Sequence, residues 1–147
     1  MMYKKIFFDA NVLLDTFSSN RPAHLSSFKS YEYILKNNAM DLYTSCDIIT
    51  TLYYVGYKID KANILDRIVQ VNKTLKIIAF SNKEVLLTCS LMKENPNYAD
   101  MEDTLQYILA KKVGCDLIIS NDETFYAEDI EVLSSQAFCE KMEILTK

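Results

Sequence analysis

Apolar positions along this chain follow two rhythms, short continuous runs and stripes at helical spacing, and the two alternate from one end to the other. Ile6-Phe7-Phe8 is a continuous run of the kind a strand shows when helices cover both its faces. The apolar stretch continues from Ala10 to Leu14, broken only by Asp9, and Ser18 to Pro22 then reads as a loop. From Ala23 to Lys36, Leu25, Phe28 and Leu35 recur at helical spacing with Tyr31 or Glu32 between them, which predicts an amphipathic helix. Leu42-Tyr43-Thr44 is a β-prone run able to pair beside the first strand. Asp47 to Lys58 is the next predicted helix, with Ile48, Ile49, Leu52, Tyr53, Val55 and Gly56 on one broad face and Ser45 or Asp47 as cap. Lys61 to Val71 follows, its stripe of Ile64, Leu65, Ile68 and Val69 expected to face the core.

The second half repeats the alternation. Leu75 to Ala79 is a strand candidate, and Ser81-Asn82-Lys83-Glu84 matches a capping box opening a helix through Met92. Lys93 to Asn97 is a loop. The helix from Asp100 to Val113 should stop at Gly114 in the C′ position. Cys115 to Ser120 and Ile130 to Leu133 read as strands, and Ser134 caps a closing helix through Lys141. Strands alternating with helices specify an α/β fold with a parallel sheet sandwiched by helices.

Composition narrows the chemistry. A chain of 147 residues suits one domain, spanning 1–147. Half of its residues are hydrophobic, yet no run approaches the roughly 18 needed to cross a bilayer, so no membrane is expected. Met1 to Lys5 leads into an apolar run containing an acid, without a small-residue cleavage site, which predicts a cytoplasmic protein. Cys46, Cys89, Cys115 and Cys139 are scattered, with no CxxC pair, and read as reduced thiols. Two glycines, Gly56 and Gly114, cannot build a P-loop or a dinucleotide fingerprint. His24 is the only histidine, which removes histidine-pair acid/base catalysis and histidine-rich metal sites. Carboxylates remain. The net charge of −4 argues against a surface broadly coated for nucleic acid, although Lys58, Lys61, Arg67, Lys111 and Lys112 can still form a local track for phosphates.

Topology puts three acids in related places. Asp9 ends the first strand, Asp122 lies just past the strand through Ile119, and Asp103 is in the first turn of the helix feeding that strand. In a right-handed parallel sheet these places can meet at the carboxyl edge, where ligands bind. Each acid also has a structural reading. Asp9 and Asp122 suit turns, where Asx side chains bond their own backbone, while Asp100, Glu102 and Asp103 suit the cap and first turn of a helix.

The motifs Asp9-x-Asn11-Val12-Leu13-Leu14, Glu102-Asp103-x-Leu105-Gln106 and Ile118-Ile119-Ser120-Asn121-Asp122, in this order, resemble those of the PIN-domain ribonucleases. The similarity is greatest to the VapC-type toxins of toxin–antitoxin pairs and spans nearly the whole chain. The resemblance implies a three-layer α/β/α sandwich with a mostly parallel sheet of about five strands. It further implies an acidic pocket holding Mg²⁺ or Mn²⁺, hydrolysis of RNA, inhibition by a cognate antitoxin, and a homodimer as seen often in the family. By position, Asp9, Asp103 and Asp122 would be the catalytic metal-site acids, Asp100 an auxiliary metal acid, and Asn11 and Ser120 polar supports.

The chemistry is consistent with such a cluster. Two carboxylates about 4 Å apart repel by roughly 4 kcal/mol at an effective dielectric of 20, so several stay ionised together only around a cation. Hard oxygen ligands select Mg²⁺ or Mn²⁺, which activate water and neutralise charge on a phosphodiester in transit. One departure from the family pattern stands out. Its usual glutamate after the second strand corresponds here to Thr51, with Asp47 four residues earlier on the same helical face. The sequence therefore leaves open a catalytically weakened or inactive module that binds RNA or an antitoxin without turnover. A phosphotransferase of the dehalogenase or receiver type, phosphorylated on Asp9, fits less well, because Asn11 stands where dehalogenases need a second aspartate.

Overall fold

The computed structural model describes residues 3–146. Strands β1 (Lys5–Phe8), β2 (Asp41–Ser45), β3 (Lys76–Ile78), β4 (Leu117–Ile119) and β5 (Glu131–Leu133) form one parallel sheet in the order β3-β2-β1-β4-β5. Among the described residues the helices are α1 (Ala10–Thr16), α2 (His24–Lys36), α3 (Ile48–Ile59), α4 (Ile64–Thr74), α5 (Asn82–Glu94), α6 (Met101–Lys112) and α7 (Ser135–Lys141).

Side chains alternate along a strand, so the central strand feeds two cores. Ile6 and Phe8 join Leu42, Leu117 and Ile119 beneath α1 to α4 and α7. Phe7 joins Tyr43 and Ile118 beneath α5 and α6. Both phenylalanines are fully buried, and truncating either to alanine should cost about 3–5 kcal/mol. The expected three layers are thus present. The chain leaves β1 toward β2 and β3 on one side, then returns to place β4 on the other. Such a reversal opens a crevice at the carboxyl ends of β1 and β4.

Several local expectations hold in detail. Glu84 Oε1 accepts from the Ser81 backbone N–H at 2.8 Å, and Ser134 Oγ accepts from Ala137 N at 3.0 Å. At the end of α6, Gly114 has φ +80°. Its N–H bonds Lys111 O at 3.1 Å while Cys115 N–H bonds Ala110 O at 2.8 Å, the paired bonds of a Schellman turn.

Other expectations fail for packing reasons. The apolar stretch after Asp9 is a separate helix, α1, whose Val12, Leu13 and Leu14 are buried. In α2 the buried face is mostly polar: beside Ile34, Ser26, Ser27 and Ser30 are buried, the serines against α7, while Leu25, Phe28 and Leu35 are more than a third exposed. Small side chains let the two helices approach, and the hydroxyls find partners in Ser135 and Cys139, with Ser26 Oγ 2.7 Å from Ser135 Oγ. In α3 only Ile48, Leu52 and Gly56 are buried. A Cβ at Gly56 would collide with the Ile64 side chain, so this glycine sets the approach of α3 to α4. Helix α4 begins at Ile64, later than its sequence pattern suggested, because Asp60 accepts from Asn63 and Arg67 and holds the preceding residues in a turn. Its inward face is Ile64, Ile68 and Val71, leaving Leu65 65% and Val69 50% exposed. No helix among the described residues is long and apolar enough to cross a membrane.

Candidate functional site

The crevice at the carboxyl edge is a pocket of about 300 Å³ lined by Asp9, Ala10, Asn11, Leu14, Thr51, Asp100, Glu102, Asp103 and Asp122. Three elements converge there: the β1–α1 junction, the first turn of α6, and the loop leaving β4. Thr51 enters from α3. No lysine, arginine or histidine lines the pocket.

Asp9 caps α1 and also lines the pocket, so its turn reading and its place at the carboxyl edge are compatible. Its Oδ1 accepts from Ala10 N at 2.7 Å, while Oδ2 accepts from Asn11 Nδ2 at 2.9 Å and Ser120 Oγ at 2.8 Å. Burial nevertheless pushes its carboxyl above the ordinary value. The Ser120 hydroxyl, the Ala10 N–H and the Gln106 side chain pull it back, and the Asp122 charge adds to the rise. Asp100 caps α6, accepting from Asp103 N at 2.9 Å, which turns Asp103 into the pocket. Asp103 rises to about 7 through burial first, then repulsion from Asp9, Asp100, Asp122 and Glu102. Glu102 is also raised, by burial and then by Asp47, Asp9 and Asp100. Asp122 keeps its turn role, with Oδ1 accepting from Thr124 N at 2.9 Å and Thr124 Oγ1 at 2.7 Å.

The structure brings together Asp9, Asn11, Thr51, Asp100, Asp103 and Asp122. Ser120, 3% exposed, lies beneath them and orients Asp9 and the Asp122 backbone. Asp47 does not line the pocket. Its carboxylate accepts from the Ser45 hydroxyl, and it acts on the site by repelling Glu102. Among the described residues, no three acids stand close enough as their side chains lie to enclose an ion.

Sequence reasoning missed four residues. Glu102, whose place in the sequence is that of a first-turn acid, lines the pocket. Gln106, one turn later, is fully buried beside it. Asn121 ties the β4 exit to the helices: its Nδ2 donates to Asp15 at 2.7 Å and Ser27 at 2.9 Å, and its Oδ1 accepts from Ser135 N and Oγ, both at 2.9 Å. Its backbone N–H bonds Asn11 Oδ1 at 3.0 Å, so Asn11 and Asn121 fasten the two acid-bearing junctions together. Asp15 is buried at the far end of α1 against Arg21 Nε at 2.6 Å. The adjacency of Asn121 to Asp122, and the Glu102-x-x-x-Gln106 spacing, were the available signals.

A second, mostly apolar cleft of about 260 Å³ lies between α1, α2 and α4, lined by residues including Leu13, Phe17, Phe28, Tyr31 and Arg67. It contains no acid and is separate from the carboxylate pocket.

Comparison with known proteins agrees with this architecture. Ribonuclease VapC1 of Aquifex aeolicus (strain VF5) is 48% identical over 145 residues, covering 99% of this chain and 100% of that protein. The crystal structure of VapBC2 from Rickettsia felis bound to a DNA fragment from their promoter superposes with a TM-score of 0.67 at 17% identity, covering 88% of this chain and 98% of that one. That of PAE2754 from Pyrobaculum aerophilum gives a TM-score of 0.63 at 14% identity, covering 97% of this chain and 98% of that one. The family model described as PIN domain matches residues 5–124, a span that begins with β1 and ends just past Asp122, and the chain belongs to the PIN-domain family.

Proposed function

We propose that the protein is a metal-dependent endoribonuclease and the toxin of a toxin–antitoxin pair, acting in the cytoplasm. The observation that carries the reading is the meeting of Asp9, Asp103 and Asp122 in one pocket that no cationic side chain lines. The 48% identity to a ribonuclease over nearly the full chain supports it.

The donor set fits a divalent metal. Every candidate ligand is an oxygen, which favours Mg²⁺ or Mn²⁺ over softer ions, and the elevated Asp9, Glu102 and Asp103 are the signature of carboxylates lacking a counter-charge. Asp9, Asp103 and Asp122 would hold the ion, with Asp100 beside them. Bound there, a divalent ion supplies an activated water and neutralises charge on the phosphate. The chain's own part is positioning. Asn11 and Ser120 fix the orientation of Asp9, and the Ser120 hydroxyl offsets part of the rise that burial gives its carboxyl. Asp103, whose carboxyl is raised to about 7, would give up its proton on joining Asp9 and Asp122 around the ion, and the pocket admits an RNA phosphate only once its negative charge is offset. Hydrolysis then leaves 5′-phosphate and 3′-hydroxyl ends.

Thr51, lining the pocket where the family pattern has a glutamate, favours a second reading: a module that binds RNA or an antitoxin without turnover. Half-exposed Leu25 and Phe28 on α2, Tyr54 on α3, and Leu65 and Val69 on α4 offer an apolar surface for the antitoxin. Incubation of the full chain with total RNA, with and without Mn²⁺, separates the readings. Cleavage that requires the metal, disappears in Asp103→Asn and yields 5′-phosphate ends is the expected result. Binding without cleavage establishes the second reading.

A further inference from the structure

We infer that Glu102 supplies a carboxylate ligand of the metal site, from α6, in place of the acid missing at Thr51 on α3, and that Gln106 positions it. The inference rests on the metal-site reading above. Glu102 and Thr51 line the same pocket as Asp9, Asp103 and Asp122, so a carboxylate lost from one wall is present on another. The relocation would put one negative group on the residue next to Asp103, in a pocket that Asp100 also lines.

Gln106 gives this assignment an independent footing. It lies one helical turn beyond Glu102 and is fully buried. Its Nε2 donates to Glu102 Oε1 at 3.5 Å, a long contact that leaves room to tighten. Its amide is also close enough to Asp9 to favour the charged form of that acid. The side chain therefore sits one turn beyond Glu102 with its amide nitrogen on that carboxylate. Its Oε1 is the single buried side-chain oxygen or nitrogen, among the described residues, without a hydrogen-bond partner. A buried amide oxygen needs a donor, and the ionised carboxylates around it are acceptors only. Water ordered by a cation is a donor, so a hydrated divalent ion held by Glu102 would offer the unpaired Gln106 Oε1 the donor it lacks. Hydrogen-bonded groups behind metal ligands typically change affinity 10–100-fold when lost.

The test is Mn²⁺ binding to the full chain by titration calorimetry, with water-proton relaxation to count metal-bound waters. Glu102→Gln should weaken Mn²⁺ at least about 10-fold and add about one bound water, as loss of one ligand requires. Thr51→Glu in the Glu102→Gln background should recover most of that affinity. Gln106→Met, close in volume, should weaken Mn²⁺ several-fold without lowering the melting temperature, a split that a purely structural glutamine would not give. If Asp103→Asn abolishes binding while Glu102→Gln stays within twofold of the native protein, the assignment of Glu102 is overturned and the metal site stands. If the native chain itself binds no Mn²⁺, the metal-site reading fails and takes this inference with it.

Discussion

Asp9 and Asp15 stand at the two ends of α1, buried to 4% and 6% exposure, and they solve the same problem in opposite ways. Asp15 lies in the last turn, where the helix dipole is unfavourable to an acid, and it is fully compensated: Arg21 bonds one oxygen at 2.6 Å and Asn121 the other at 2.7 Å. Asp9 lies at the favourable N-terminal end and has three hydrogen-bond donors, yet no cation faces it and its carboxyl is raised. A buried acid with its own arginine needs nothing more. A buried acid with donors only, repelled by Asp122 and sharing a pocket with Asp103, still lacks a counter-charge, which the proposed metal would supply. The first acid is satisfied by the fold, and the second is left for the proposed chemistry.

The contrast breaks most sharply under substitution. Asp9→Asn should cut metal-dependent RNA cleavage by at least about 100-fold, since it removes a ligand from the reacting centre, while raising or leaving unchanged the melting temperature of the metal-free protein. Asp15→Ala should do the reverse. It strands Arg21 and one donor of Asn121, so chemical denaturation should show a loss of about 2–3 kcal/mol, with cleavage retained at temperatures where the variant is folded. Loss of cleavage in folded Asp15→Ala would mean that the two ends of α1 are one functional unit.

Proton linkage sharpens the same contrast at a smaller scale. Asp103 is raised from 3.8 to about 7, so in the metal-free protein it binds a proton more tightly folded than unfolded. Its contribution to stability is therefore complete below about pH 4 and is lost as pH rises through 7. Metal must displace that proton. Between pH 8 and pH 6 the apparent Mn²⁺ affinity should fall about 10-fold on account of Asp103, measured by calorimetry in two buffers of different ionisation enthalpy. A flat profile would show that Asp103 does not ligate the ion.

How much of this was legible depends on range. Strand runs such as Ile6 to Phe8 and Leu117 to Ile119 are read directly, because covering both faces of a parallel sheet demands uninterrupted apolar residues. The Asp9, Asp103 and Asp122 convergence was legible for a related reason: sheet topology places strand ends and the following helix starts together. Illegible features depend on which helix faces which. The buried serine face of α2 reads as polar and solvent-facing until α7 brings Ser135 and Cys139 against it. The α4 stripe points partly outward because Ile64, Ile68 and Val71 face the core, and Leu65 and Val69, each one residue further on, turn away from it. Glu102 was hidden by a competing explanation, since any acid in a first turn already has a reason to be there. Only the pocket geometry separates it from Asp66, the acid in the first turn of α4, which faces no cluster.

The smallest effect is the most discriminating for the site itself. Thr51→Glu in the native background restores the family's acid on α3 and adds a further negative charge to a pocket already holding Glu102. If Thr51 leaves the site one ligand short, this substitution should tighten Mn²⁺ by more than about 10-fold. If Glu102 already fills that place, the gain should be only a few-fold. The metal-free protein should then also melt lower, because another like charge joins carboxylates that are already raised. A small gain in binding coupled to a loss of metal-free stability is the expected outcome. It would place the functional acid on α6, one residue from Asp103, and make the threonine on α3 a consequence of that relocation instead of a defect in the pocket.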